Sequence, residues 1–138
     1  MGVVYLGKDP KINRVVAIKT MALAQEFEED EIDEVKERFF REAETAGRLS
    51  HPNIVTIFDA GEEHDLAYIG KDLVPDTKPG NLLPLATVVD IVIASADALD
   101  YAHNFNVVHR DIKPANIMYE PETRTTKITD FGIARITD

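Results

Sequence analysis

Residues 107–119 read VVHRDIKPANIMY, and two apolar runs, Val107-Val108 and Ile117-Met118-Tyr119, enclose His109, Arg110, Asp111, Lys113 and Asn116. A buried segment does not tolerate that density of charge and hydrogen-bonding capacity unless every group finds a partner. The chemistry such a set offers is ion pairing, hydrogen bonding and proton exchange rather than packing, and the five residues alone leave its use open. A second pair stands far upstream. Glu42 falls among apolar residues at helical spacing, and a carboxylate turned toward a core needs a cation. Lys19, in the strand-like VVAIKT, is a candidate partner, with the alternative that Glu42 simply reaches solvent left open.

These residues have to be positioned by elements whose periodicity is legible. VVYLGKDPKINRVVAIKT reads as two strands joined by a turn, because β-branched residues flank a Lys-Asp-Pro-Lys-Ile-Asn segment. Period two then places Val15, Ala17 and Lys19 on one face of the second strand. Positions 32–49 carry Ile32, Val35, Phe39, Ala46 and Leu49 at helical spacing, with Glu42 inside that stripe. HPNIVTIFDAG and LAYIG read as short strands, and VPDTKPGNLLP as irregular chain. Positions 85–104 predict a second amphipathic helix, with Leu85, Val88, Val89, Val92, Ala96 and Leu99 facing inward and Asp90, Asp97, Asp100 and Asn104 outward. A strand at NIMYE, a turn at Pro121 to Arg124 and a strand-like TKITDFGIA complete the chain. The order predicts an α+β fold in two parts, residues 1–69 and 70–138.

Composition excludes more than it identifies. The 138 residues allow one compact domain or parts of two small lobes. With 25 acidic and 15 basic residues the net charge is -10, which argues against a nucleic-acid surface. Much of that charge lies in the run Glu26, Glu28, Glu29, Asp30, Glu31, Asp33, Glu34 and Glu37, better read as a solvated loop and helix start than as a docking site. Without cysteine there is neither a disulfide framework nor thiolate chemistry, which suits a reducing compartment. Asp90 and Asp97 break the longest apolar stretch, so no membrane span is expected, nor a signal peptide at the start.

VAIK at Val16 to Lys19, HRDIKPAN at His109 to Asn116 and DFG at Asp130 to Gly132, in that order and with Glu42 on a helix between the first two, resemble the signature set of protein kinases. Lys113, two residues after Asp111, resembles the serine/threonine class. GVVY, HPNIV and TDFGIAR resemble bacterial members of it. The resemblance runs over essentially the whole chain and implies a two-lobed kinase fold, here most of the N-lobe and the first part of the C-lobe. It implies transfer of a phosphoryl group from ATP, with magnesium, to serine or threonine hydroxyls of a protein substrate, a chemistry that is mostly positioning and charge stabilisation. Lys19, held by Glu42, would contact the α- and β-phosphates. Asp111 would orient or deprotonate the substrate hydroxyl, and Lys113 would neutralise charge on the γ-phosphate. Asn116 and Asp130 would bind magnesium. Gly2 would belong to the nucleotide loop, while Val4, Ala17 and Met118 resemble the residues that sandwich adenine, though for Val4 and Ala17 core packing explains the residue as well. His109 would brace the loop, and Arg110 resembles the arginine that reads a phosphorylated activation loop. A cytoplasmic location follows, one that a membrane-anchored parent could share.

The chain departs from the family pattern in three places. Of the glycine loop G-x-G-x-x-G-x-V only Gly2-Val3-Val4 is present. At Tyr68-Ile69-Gly70-Lys71 the sequence passes from AYI to GKDL as though about half a dozen hinge residues were missing. After DFG it runs only to Asp138, without the Ala-Pro-Glu that ends an activation segment. The chain is therefore expected to be a kinase fragment, and a second reading stands beside the enzymatic one: a non-catalytic partial module that binds or self-associates.

Overall fold

The computed structural model describes residues 3–64, 66–71 and 82–131. Strand β1 (Val3–Asp9) and strand β2 (Arg14–Ala22) form an antiparallel hairpin in which Leu6 pairs with Ala17 and Val4 with Lys19. Its turn is closed by Asn13 at φ 58°, a left-handed conformation that asparagine tolerates, and by the Lys11 amide donating to Asp9 Oδ1 at 2.9 Å. A short helix α1 (Leu23–Glu26) leads to helix α2 (Ile32–Gly47). Strands β3 (Ile57–Glu63) and β4 (Leu66–Lys71) pair antiparallel, and the sheet order is β1-β2-β4-β3. Of the two strand-like runs expected after α2, the first is strand only from Ile57 onward; Ile54 makes an isolated parallel bridge to Ile128 instead.

Helix α2 covers one face of the sheet. Val35, Phe39, Ala43 and Ala46 are buried along it, joined by Leu49 just beyond its end, so the expected stripe is present, with Ala43 added to it. Phe39 is fully buried among Met21, Leu23, Val35, Ala67 and Ile69. The acidic run before and at the start of α2 is exposed, and the outward face of the helix is laced by Glu34–Arg38, Glu37–Arg41 and Glu44–Arg48 pairs one helical turn apart. In α3 (Leu85–Asn104) the burial differs from the expected stripe. Leu85, Val88, Val89 and Val92 are exposed, as is Ala96, and Leu99 is half-buried. The buried residues are Ser95, Ala98 and Ala102. Small side chains let the C-terminal half of α3 approach Ile54, Ile128 and Phe131 closely, whereas no described element covers its N-terminal half. No described helix is long and apolar enough to cross a membrane.

The remaining elements are a one-turn 3-10 helix (Pro114–Asn116) and a hairpin of β5 (Ile117–Glu120) and β6 (Thr125–Ile128). The hairpin is sewn to the segment after α2: Ile128 N donates to Asn53 O at 2.8 Å, Val55 N to Ile128 O at 2.9 Å, and Asn53 Nδ2 to Thr126 O at 2.9 Å. Truncating Phe39 to alanine should therefore lower unfolding free energy by about 3–5 kcal/mol, read from the denaturant midpoint. Ser95 Oγ is buried without a hydrogen-bond partner among the described residues. Ser95→Ala should consequently hold or raise stability, by up to about 1 kcal/mol in the same assay.

Candidate active site

The loop that follows α3 is organised around His109, which is 1% exposed. The Asp111 amide donates to His109 Nδ1 at 3.1 Å, so Nδ1 is an acceptor and the proton sits on Nε2, which donates to Thr129 O at 2.7 Å. The imidazole also meets the Phe131 ring edge-on at 4.6 Å between centroids. This histidine ties the loop to the residues that follow β6. Arg110 at φ 71° and Asp130 at φ 60° are both left-handed, a conformation that arginine adopts only at a cost, and they flank the histidine brace on its two sides.

The loop gathers three polar side chains that the sequence placed within six positions. Asn116, buried, donates through Nδ2 to Asp111 O at 2.8 Å and to Asp111 Oδ2 at 3.1 Å. Lys113 Nζ, half exposed, lies 3.2 Å from the same Oδ2. The Asn116 carbonyl accepts the Thr129 amide at 3.0 Å, which sets the Asp111 cluster beside the residue that precedes Asp130.

Asp130 is reached from the sheet by two cations. Lys19 Nζ lies 3.2 Å and Lys71 Nζ 3.5 Å from the same oxygen, Oδ1, with all three side chains less than a quarter exposed. Lys71 also donates to Thr129 Oγ1 at 3.1 Å. Burial opposes ionisation of Asp130, but the fields of Lys71 and Lys19 and their hydrogen bonds outweigh it and hold the carboxyl below the usual carboxylate range. Burial lowers the pKa of Lys71, and repulsion from Lys19 adds to that, against the attraction of Asp130. Behind the three groups lies a cavity of about 20 Å³ lined by Ile54, Val55, Ile57, Ile69 and Ile128, room for roughly one water molecule.

The expected site residues thus fall into groups. Lys19 and Asp130 meet, and Asp111, Lys113 and Asn116 meet beside them. Ala17 is buried on β2, Met118 half-buried on β5 and Val4 exposed on β1, and none of these lines the small cavity. Glu42 belongs to α2, but its side chain, like Gly2 and Gly132, lies outside the described residues, and with it the expected pairing to Lys19. Lys71 went unrecognised in the sequence. Its signal is present there, since Ala67, Ile69 and Lys71 share one face of β4 by period two, the same pattern that marked Lys19. Asp130 and Asn116 offer hard oxygen donors of the kind magnesium takes, and the ammonium groups already seated on Asp130 mark it as a cation position. Among the described residues no group of three or more His, Cys, Asp or Glu is placed to hold a metal ion.

The sequence profile of the protein kinase domain matches residues 1–138. A probable serine/threonine-protein kinase of Clostridium perfringens is 40% identical over 144 residues, which covers 100% of this chain and 20% of that protein. The serine/threonine-protein kinase PknF of Mycobacterium tuberculosis is 40% identical over 145 residues, 97% of this chain and 30% of its own length. PrkC of Bacillus subtilis, also a serine/threonine-protein kinase, is 40% identical over 141 residues, with 97% and 21% covered. Among solved structures, the Mycobacterium tuberculosis PknI kinase domain superposes with a TM-score of 0.79 at 37% identity, over 97% of this chain and 56% of that one. The chain thus spans between a fifth and a third of the length of these curated relatives.

Asp130→Asn leaves two poorly hydrated ammonium groups without their anion and should destabilise the chain by about 2 kcal/mol at neutral pH. Because the folded-state pKa of Asp130 lies below its unfolded value, its contribution is complete above the ordinary carboxylate range and is lost as pH falls through the depressed value. Melting curves taken from about pH 5 downward should therefore show a shallower loss of stability in Asp130→Asn than in the parent chain.

Proposed function

The chain belongs to the protein kinase domain family, and from that premise we propose that it carries the phosphoryl-transfer residues of an ATP- and magnesium-dependent serine/threonine protein kinase. The observation that supports this most is the joint placement of Asp111, Lys113 and Asn116 in one hydrogen-bonded cluster next to Asp130 and Lys19. Residues 1–69 form the N-lobe in this reading and residues 70–138 the start of the C-lobe, on the cytoplasmic side.

Each side chain has a defined task. Asp111 Oδ2, fixed by the Asn116 amide, accepts the hydrogen bond and then the proton of a protein serine or threonine hydroxyl. Lys113, on the same oxygen and half exposed, places its charge where the γ-phosphate becomes more negative as it transfers. Lys19 steadies the α- and β-phosphates, with Glu42 of α2 holding its ammonium. Asn116 and Asp130 supply oxygens to magnesium, which when bound neutralises and orients the phosphates. Gly2 approaches the phosphates, and Val4, Ala17 and Met118 enclose the adenine. Arg110 pairs with a phosphorylated activation segment. No nucleic acid takes part.

The second reading is a non-catalytic kinase module acting by binding or self-association. The exposed row Leu85, Val88, Val89, Val92 and Ile93 on α3 favours it, since apolar surface of that kind promotes association. Calorimetric titration with a magnesium-bound nonhydrolysable ATP analogue separates the two. The catalytic reading expects magnesium-dependent binding that Lys19→Met and Asp130→Asn each weaken by at least about tenfold, one charge-assisted contact being worth about 1.5–3 kcal/mol. Loss of hinge contacts should leave that binding weaker than micromolar. Binding indifferent to magnesium and to both substitutions would refute it.

A further inference from the structure

Lys71 has no place in the mechanism above, yet it lies in the middle of the site. It is the last residue of β4 and pairs with Ala17 on β2 and Ile57 on β3, so its backbone is held from both sides of the sheet. Its side chain, 13% exposed, runs through the isoleucine-lined space behind Lys19 and ends on Thr129 Oγ1 and Asp130 Oδ1. Among the described side chains Asp130 is the only carboxylate lining that cavity, and Lys19 already sits on the same oxygen at 3.2 Å. Among the described side chains the cluster sets two cations on one carboxylate oxygen. One lysine would satisfy Asp130; the second adds positive charge at the atom where a divalent cation has to bind.

We infer that Lys71 is a built-in competitor for the divalent-cation position on Asp130, its ammonium group standing where the metal's charge would go, so that metal binding requires Lys71 to withdraw. This rests on the kinase reading only for the placement of the metal at Asp130. The contacts suit such a device. The ammonium is held by one hydroxyl and by a 3.5 Å ion pair that is longer than that of Lys19, so it is the looser of the two cations, and its four-carbon stem permits withdrawal while the backbone stays in the sheet. A unit charge within about 4 Å of a divalent ion, even at the effective dielectric of a partly buried site, changes affinity by more than a factor of ten.

The test uses Mn²⁺ alone, with free Mn²⁺ followed by electron paramagnetic resonance, on the parent chain and on Lys71→Met, Lys71→Gln, Lys71→Arg and Asp130→Asn, each checked for folding by circular dichroism. The two neutral variants should bind Mn²⁺ at least about tenfold more tightly than the parent, Lys71→Arg should bind like the parent, and Asp130→Asn should bind more weakly than all of them. Neutral variants that bind no better than the parent, or not at all at millimolar Mn²⁺, overturn the role of Lys71. If Asp130→Asn binds as the parent does, the metal lies elsewhere, and it is the placement of the metal at Asp130 that fails.

Discussion

One carboxylate connects the two sheets of this chain electrically. Asp130 follows the β5–β6 hairpin, and its Oδ1 receives Lys19 from β2 and Lys71 from β4. Among the described side chains lining that space neither lysine has another anion, and each is buried enough for an unpaired ammonium to be costly. The sheet and the hairpin are therefore held in one arrangement by charges that cannot be satisfied separately. The same arrangement keeps Asp130 ionised throughout the neutral range.

That ion cluster would be loose without the neutral hydrogen bonds that seat Asp130. Residues 53–55 run along β6 and exchange backbone hydrogen bonds with Ile128, while His109 clamps Thr129 from the other side. Because the Asp111 amide occupies His109 Nδ1, the imidazole can only donate to Thr129 O, and the loop and the strand end are locked in one register. The left-handed backbone at Arg110 and Asp130 shows where this clamp overrides local preference. A chain that tolerates strain at two residues beside its charged cluster is organised to place side chains rather than to minimise backbone energy.

Helix α3 follows a different logic. Its buried face is made of Ser95, Ala98 and Ala102, so its axis comes close to Ile128 and Phe131 and carries the 107–116 loop with it. The larger apolar residues of its first half stay exposed. The PknI kinase domain is matched over only 56% of its length, so nearly half of that domain has no counterpart among these residues.

The chemistry-bearing positions and the elements that carry them were legible because they are local. Period two put Lys19 on one face of β2 with Ala17, which is buried, although Val15 of the same set is exposed; period 3.6 put Val35, Phe39 and Ala46 on the buried face of α2, and the HRDIKPAN stretch announced itself by charge between apolar runs. Periodicity states which residues share a face, never what covers it. Both sides of α3 carry apolar side chains, and only the position of the hairpin decided that Ala98 and Ala102, not Val88 and Val92, would be buried. The contact of Lys19 with Asp130 was equally beyond periodicity, because Asp130 lies 111 residues away and comes within reach when residues 53–55 dock on β6. Lys71 joined them for the same reason: a lysine at the end of an apolar strand acquires a role only from the charge that the folded chain brings in front of it.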